Sequence, residues 1–319
     1  MDSAGRREKV LGTDGPDLGA PVGNEIKTQT LYSGITNGTE RNQLVGGNYA
    51  TPEDKLPVIQ GNYQNVGRVI QIGPDVVNLH VGDLVFNGSQ RGVGDSKAGH
   101  VESIRIAEDR LLMKIPENVD PIHAAMFGMG SVGLCSCRNA DLRLGERVLI
   151  VGGAGCIGQI AAQIATIMGA RVTVCDIDQR RLNLTRAIGA VEEVVNISAD
   201  GWDQHIDHGT YDVVIDFAGV PGMEDRLIEA VRRKGRVLLI SGRWEVTYTF
   251  RLGQEREITI KQNTHFDRND LENLCRLVAR GLVQIGPIIQ DVVPVDQADR
   301  IYVTLRDDPS QLMGTVFEW

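Results

Sequence analysis

No stretch of this 319-residue chain runs apolar for the ~18–20 residues that a membrane-crossing helix needs. Basic residues are in deficit: 33 Lys and Arg against 42 Asp and Glu leave a net charge of −9, which argues against a broad nucleic-acid footprint. Cysteines are scarce and odd in number, five in all, and three of them sit in apolar segments. That pattern suits buried free thiols in a reducing compartment rather than a disulfide framework. Cys135-Ser-Cys137 has no neighbouring Cys/His cluster to complete a metal site. The opening residues, Met1 to Lys9, are polar and charged without the apolar core of a signal peptide, so a cytoplasmic location is expected. Aromatic residues make up only 5% of the chain, and Asn, Gln and Arg are frequent near the segments discussed below, which points to a polar substrate.

What the chain does contain is one strongly organised stretch, Val148-Leu-Ile-Val-Gly-Gly-Ala-Gly-Cys-Ile-Gly158. An apolar β-branched run to Val151 reads as a buried parallel strand. Gly153-Ala-Gly155-Cys156-Ile157-Gly158 follows at once, and Gln159 to Met168 carries a helical mixture. Strand, G-x-G-x-x-G and helix in that order are the context a dinucleotide fingerprint requires. Gly153 is assigned the tight turn, Gly155 the close approach of a pyrophosphate, and Gly158 the close packing of helix on strand. The helix N-terminus offers N–H groups and a positive dipole end to phosphate. A second strand, Arg171 to Cys175, ends at Asp176, about twenty residues beyond Gly158, where a carboxylate accepts from the adenosine ribose and repels a 2′-phosphate. NAD is therefore the expected cofactor, although Arg180 and Arg181 nearby are of the type that accommodates a phosphate.

The first ~120 residues hold short β-like runs punctuated by Gly, Pro and Asn: Glu25 to Tyr32, Val66 to Ile72, Asp83 to Phe86 and Glu102 to Ile106. Asn87 to Gly99 reads as an exposed polar loop. Ala124 to Asn139 reads as a helix. Strands at 148–151, 171–175, 193–195, 211–215, 235–240 and 257–261 then alternate with helices, including Gln179–Ile188, Met223–Arg233 and Asn269–Gly281. Six strands in this alternation imply an α/β protein with a doubly wound parallel sheet. The last forty or so residues return to β-like runs, Asp291–Val295 and Thr315–Glu318. The expected division is 1–125 completed by 265–319, and 126–264 as the dinucleotide-binding domain. Ala218-Gly219 and Ser241-Gly242 follow the fourth and fifth strands, at the carboxyl ends where ligands bind in open α/β sheets.

Leu31-Tyr-Ser-Gly-Ile-Thr-Asn-Gly-Thr-Glu40, Val66-Gly-Arg-Val69, Gly73-Pro74, Val81-Gly-Asp-Leu-Val-Phe86 and the motif at Gly153 come in the order seen in the medium-chain dehydrogenase/reductases, which the chain resembles over nearly its whole length. The resemblance implies a GroES-like β domain beside a Rossmann domain, an active site in the cleft between them, and a homodimer or homotetramer. The Ser-Gly-Ile-x-x-Gly-Thr-Glu and V-G-R-V phrases are similar to a subset that includes bacteriochlorophyllide a dehydrogenase and cyclitol or sugar-alcohol oxidoreductases. The same resemblance marks departures. Where zinc members place a catalytic Cys, this chain has Thr36 or Asn37; where they place a His followed by Glu, it has Tyr63 and Gln64; where they place a third ligand, it has Met129. Hydroxyl, amide, phenol and thioether groups do not make a Zn²⁺ site. A zinc-independent member with no metal is expected, and the four-Cys structural zinc lobe is absent as well.

Without a metal, a hydrogen-bond donor must hold the reacting oxygen and exchange its proton. Tyr63 is the first candidate, with filling of the vacated metal cavity as its alternative. Thr39 resembles the family's proton-relaying hydroxyl, or else bonds its local turn; Glu40 reads as an anchor of that loop. His265, in Lys261-Gln-Asn263-Thr264-His-Phe266, is a candidate acid/base or a hydrogen-bonding partner, in a segment that touches the nicotinamide in the family. Asn263 and Thr264 join the cofactor set with Arg181. His80, His100, His123, His205 and His208 suggest nothing beyond structure or surface. The resulting expectation is a hydride transfer between NAD(H) and a secondary alcohol or ketone on a small-molecule substrate. Its rivals are an NAD(P)H-dependent quinone or enoyl reductase and a non-catalytic dinucleotide-binding protein.

Overall fold

A computed structural model gives the fold and describes residues 5–11, 18–57, 63–88 and 102–319. Of the polar loop expected over Asn87 to Gly99, residues 89–99 lie outside those described, as does His100 after it. The elements in order are β1 (Glu25–Gly34), α1 (Asn37–Leu44), β2 (Asn65–Ile72), β3 (Leu84–Asn87), β4 (Glu102–Ile106), β5 (Leu112–Lys114), α2 (Pro121–Ala124) and α3 (Phe127–Asn139). Next come β6 (Arg147–Val151), α4 (Cys156–Ile167), β7 (Arg171–Asp176), α5 (Gln179–Ile188), β8 (Glu193–Asn196), α6 (Gly201–His205), β9 (Tyr211–Asp216), α7 (Glu224–Ala230) and β10 (Val231–Leu239). The chain closes with α8 (Phe250–Arg256), β11 (Thr259–Gln262), α9 (Arg268–Ala279), β12 (Asp291–Pro294), α10 (Ala298–Asp307) and β13 (Thr315–Glu318).

Two compact units result. The first takes residues 1–129, 267–279 and 289–319; the second takes 130–266 and 280–288. The stretch 280–288 thus joins the second unit, although the sequence reading gave all of 265–319 to the first. In the first unit a seven-stranded sheet runs β12-β13-β1-β2-β3-β5, with β4 paired to β1. β1 is its organiser, antiparallel to β2, β4 and β13 at once. Ile26, Val69, Leu79, Val85 and Leu112 form one core, and Ile35, Leu44, Ile301, Tyr302, Leu305 and Phe317 form a second. The second core depends on α10, a helix between the β-like runs expected at 291–295 and 315–318. α1 likewise stands where only a loop phrase had been read.

The second unit is an all-parallel sheet in the order β11-β10-β9-β6-β7-β8. β6 starts the series at the centre, successive strands move outward to β8, and the chain then crosses to β9 on the other side. That reversal between β6 and β9 is the topological switch point of a doubly wound fold, beside which ligands bind at the strands' carboxyl ends. β6 buries Val148, Leu149, Ile150 and Val151, as a strand covered on both faces must. α5 begins on Asp178, whose side chain accepts from the N–H groups of Arg180 and Arg181, and ends on left-handed Gly189. All five cysteines are buried free thiols. No helix among the described residues is long and apolar enough to cross a membrane.

Candidate functional site

In the second unit the glycine loop joins β6 to α4 at the switch point. The left-handed residue is Gly152 (φ 67°), one position before the motif, so the turn assigned to Gly153 falls on its neighbour. Gly153 is needed for space instead: a Cβ there would lie 2.8 Å from the Ile150 carbonyl oxygen and from a Val174 methyl. Gly158 is tighter still, its Cβ falling 2.6 Å from Gly153 Cα and 2.7 Å from the Gly152 oxygen, which brings helix and loop into contact. Gly155, the residue before α4, has only the Gly152 oxygen at 3.5 Å near its would-be Cβ, so it leaves open space at the helix N-terminus. Cys156 is buried and Ile157 half-buried at that same end.

Asp176 ends β7 beside this loop. Its carboxylate accepts from the N–H groups of Ala154 (3.2 Å), Ile177 (2.7 Å) and Asp178 (3.1 Å). A carboxylate offers about four acceptor positions, so a ribose hydroxyl still finds room. Arg181 is paired with Asp178 at 3.4 Å, the residue that caps its own helix. Across the switch point, Asp216 ends β9 and accepts from the N–H groups of Ala218 (2.9 Å) and Gly219 (3.1 Å). Ser241, after β10, donates to the Phe217 carbonyl, and Arg243 pairs with Asp216 and with Glu224 (3.0 Å). Ala218 in turn packs on the Gly152 turn, where a Cβ would lie 2.8 Å from the Ala218 nitrogen. Gly242 lies between Ser241 and Arg243. This buried ion triad was not foreseen, because Asp216, Glu224 and Arg243 share no local motif.

After β11, the Asn263 amide oxygen accepts from Asn139 and from the Cys135 thiol (3.4 Å), and its amide donates to Ser136 (3.3 Å). Asn263 is thereby engaged with α3. Thr264 is exposed, and His265 stacks on Phe266 with ring centroids 4.4 Å apart.

In the first unit, β1 ends at Gly34 and the chain enters α1 through Thr36. Glu40 reaches back to that entrance: its Oε1 accepts from the Thr36 N–H (2.8 Å) and the Thr36 hydroxyl (3.0 Å). Its Oε2 accepts from Lys9 (2.7 Å) and from the Tyr302 hydroxyl of α10 (2.7 Å). Burial works to raise the Glu40 pKa, but the Lys9 charge and these hydrogen bonds outweigh it and hold the carboxyl below its usual range. Glu40 is therefore a buried carboxylate rather than a carboxylic acid. The Tyr63 side chain is hydrogen-bonded by Thr36 and Thr39. Burial, then the nearby Glu40 charge, push the phenol well above its ordinary value against those two hydroxyls, so Tyr63 stays protonated and is a donor. Gln64 stands next to it, donating to the Gly34 carbonyl (3.2 Å) and accepting from the Met129 N–H (2.9 Å). It staples the end of β1 to the start of α3. A Cβ on Gly128 would meet Tyr63 and Gln64 at 2.9 Å, so glycine there lets Tyr63 lie against the helix.

The model of a family described as zinc-binding dehydrogenases matches residues 156–280. An acryloyl-coenzyme A reductase of Metallosphaera sedula is 27% identical over 284 residues, which cover 80% of this chain and 82% of that protein. An L-threonine 3-dehydrogenase of Pectobacterium carotovorum is 27% identical over 250 residues, covering 70% and 71%. Among solved structures, the fold matches that of 2R,3R-butanediol dehydrogenase from Bacillus subtilis with a TM-score of 0.80, 18% identity, and coverage of 98% and 96%. The chain is thus similar to proteins of the medium-chain dehydrogenase/reductase superfamily. Its first unit has the fold of the GroES-like domain of those proteins and its second that of their Rossmann domain.

Zinc, which many members of the superfamily carry, does not fit the residues present here. The positions corresponding to its ligands supply a threonine hydroxyl or an amide, a phenol and a buried thioether. Among the described residues no group of three or more His, Cys, Asp and Glu gathers at one place. Zn²⁺ takes thiolate, imidazole or carboxylate. A dinucleotide does fit: Gly155 leaves its phosphates room at a helix N-terminus, and Asp176 has acceptor capacity to spare.

Proposed function

We propose that this protein is an NAD(H)-dependent, zinc-independent oxidoreductase that interconverts a secondary alcohol and a ketone on a small hydroxylated substrate. The observation that carries the reading is the hydroxyl cluster of Tyr63, Thr36 and Thr39, with Tyr63 and Thr36 at positions where the resemblance places metal ligands, anchored by a buried charged Glu40. The dinucleotide, when bound, accepts or donates the hydride. The chain's own residues do the rest. Gly153, Gly155, Cys156, Ile157 and Gly158 receive the pyrophosphate, and Asp176 receives the ribose while its charge opposes a 2′-phosphate. Arg181 stays neutralised by Asp178. Ala218, Gly219, Ser241, Gly242, Asn263 and Thr264 flank the nicotinamide half. Tyr63 donates to the reacting oxygen, with Thr39 as its second hydroxyl partner and His265 as a group that orients the carboxamide or substrate.

The similarity to an acryloyl-coenzyme A reductase favours a second reading, reduction of an activated C=C bond, in which the same Tyr63 hydroxyl holds the acyl oxygen. One assay separates the two. Absorbance at the nicotinamide band is followed for 2,3-butanediol, L-threonine and myo-inositol with NAD⁺ or NADP⁺, and for acryloyl-coenzyme A with NADH or NADPH. Alcohol-driven NADH formation is expected; turnover of the acyl substrate alone, with NADPH, overturns the first reading. Binding of NAD⁺ with no turnover of any of these leaves a non-catalytic dinucleotide-binding protein. We also propose a homodimer or homotetramer, on the resemblance to the medium-chain dehydrogenase/reductases. Sedimentation of a monomer contradicts that.

A further inference from the structure

Asp216, Glu224 and Arg243 are charged side chains only 2%, 5% and 7% exposed, gathered at the carboxyl end of the parallel sheet. Burying three charges is weak evidence for stability, because apolar side chains of like volume often hold a fold as well. What the triad does provide is fixed geometry. Each carboxylate has one oxygen on Arg243 and the other on backbone: Asp216 Oδ1 accepts from the N–H groups of Ala218 (2.9 Å) and Gly219 (3.1 Å), and Glu224 Oε2 from Gly222 (2.9 Å). The loop after β9 is thus held at two points. The Arg243 Nε–H donates to the Ser241 carbonyl (3.3 Å), and the Ser241 hydroxyl donates to the Phe217 carbonyl, which ties the loop after β10 to the loop after β9. The two lie so close that a Cβ on Gly219, a left-handed residue (φ 65°), would fall 2.5 Å from Ser241 Cβ. Ala218 in turn backs the Gly152 turn. One guanidinium thereby joins the loops that follow β6, β9 and β10.

We infer that Arg243 is the positioning residue of the cofactor cradle: acting through Asp216 and Glu224, it pre-forms the loops that receive the dinucleotide and touches no ligand itself. The inference rests on the dinucleotide-binding part of the proposed function and not on the identity of the substrate. Ala218, Gly219, Ser241 and Gly242 are assigned there to the nicotinamide half, and Arg243 anchors both segments that carry them. A loop already fixed loses less freedom when a ligand settles on it, so less of the binding energy goes into ordering. Arginine suits the task because its planar fork reaches two carboxylates and a carbonyl at fixed angles, where a lysine ammonium is a single point of charge. The same unit holds a natural control. Arg236 pairs with Glu146, their side chains 13% and 10% exposed, at the opposite, amino end of the sheet, where Arg236 also donates to the Ala140 carbonyl (2.8 Å). That pair is of similar burial and ties β10 to the end of α3, away from the strands' carboxyl ends.

The test titrates NADH and NADPH by fluorescence into wild type, Arg243→Met, Arg243→Lys and the control Arg236→Met, with thermal midpoints measured on the same samples before nucleotide is added. Arg243→Met is expected to weaken binding of the preferred nucleotide by roughly tenfold or more, the loss that follows when one or two groups must be ordered anew on binding. Arg243→Lys, which keeps the charge without the fork, is expected to fall between it and wild type. Arg236→Met should lower the thermal midpoint and leave the dissociation constant unchanged. Amide hydrogen exchange on the wild type adds a readout that no folding failure can spoil: the segment 216–224 is expected to be protected without nucleotide. Wild-type affinity in Arg243→Met, an equal loss of affinity in Arg236→Met, or a segment 216–224 that gains protection only when nucleotide is added overturns the inference and leaves the dinucleotide reading standing. Should a variant fail to fold, the exchange measurement decides alone. Binding of neither nucleotide by the wild type overturns both.

Discussion

Tyr63 differs from a metal in what it can offer an alkoxide: one directional hydrogen bond instead of a divalent charge. Removing it should therefore be felt in kcat and not in cofactor binding. Tyr63→Phe is expected to lower kcat on the order of 10²-fold with the dissociation constant of NADH unchanged by fluorescence titration. Asp176 makes the opposite prediction. Asp176→Ser removes the charge that opposes a 2′-phosphate, so the ratio of kcat/KM for NADP⁺ over NAD⁺ should rise by tenfold or more, about 1.4 kcal/mol or above; an unchanged ratio would remove Asp176 from the specificity argument. Glu40 also links stability to pH. Its folded pKa is depressed below the usual carboxylate value, so its contribution is present above the unfolded pKa and is lost as pH falls through the folded one. Acid unfolding followed by circular dichroism should accordingly shift to higher pH in Lys9→Met. At this scale the sequence shows threonine, tyrosine and methionine where the resemblance places zinc donors. It did not tell that Thr36 binds Glu40: the carboxylate lies four residues past the helix entrance, one beyond the usual capping-box spacing, and its other partners come from residues 9 and 302.

The glycine loop separates binding from folding within one motif. Gly155→Ala adds a methyl that meets only the Gly152 oxygen at 3.5 Å, so stability should fall by no more than about 1 kcal/mol, the range for a changed N-cap, while NADH affinity drops because the methyl occupies the phosphate's approach. Gly158→Ala drives its methyl into the loop backbone at 2.6 Å and should lose both thermal stability and binding. Equal effects of the two would contradict the assignment. Leu305, fully buried on α10, should cost ~2–5 kcal/mol on replacement by Ala. Strand-helix alternation was legible from residue 147 onward because β6, β7 and β9 carry apolar β-branched runs and α5 starts on a capping Asp178; α5 spans the very residues expected of it. α10 was legible too, for Ala298, Ile301, Tyr302 and Leu305 recur at helical spacing, but two β-like runs beside it concealed the pattern. α1 carried no apolar stripe to read, and only Leu44 and Glu40 of its side chains are buried.

For the whole molecule, the sheet order follows from connectivity rules: parallel strands joined by right-handed crossovers leave few topologies, and a glycine fingerprint on the first strand selects among them. The interleaving of the two units is a different matter. Residues 267–279 belong to one and 280–288 to the other, and no composition shift marks that exchange, because both segments are ordinary amphipathic chain whose partners are fixed only in three dimensions. In the proposed function a charged, hydrogen-bonded cluster of side chains replaces a metal. The direct test is NAD-linked oxidation of a secondary alcohol by enzyme stripped with a chelator and shown by elemental analysis to hold no zinc. Unchanged turnover after stripping, and no gain on adding Zn²⁺, is the predicted result; activity lost on stripping and restored by one equivalent of Zn²⁺ would contradict it.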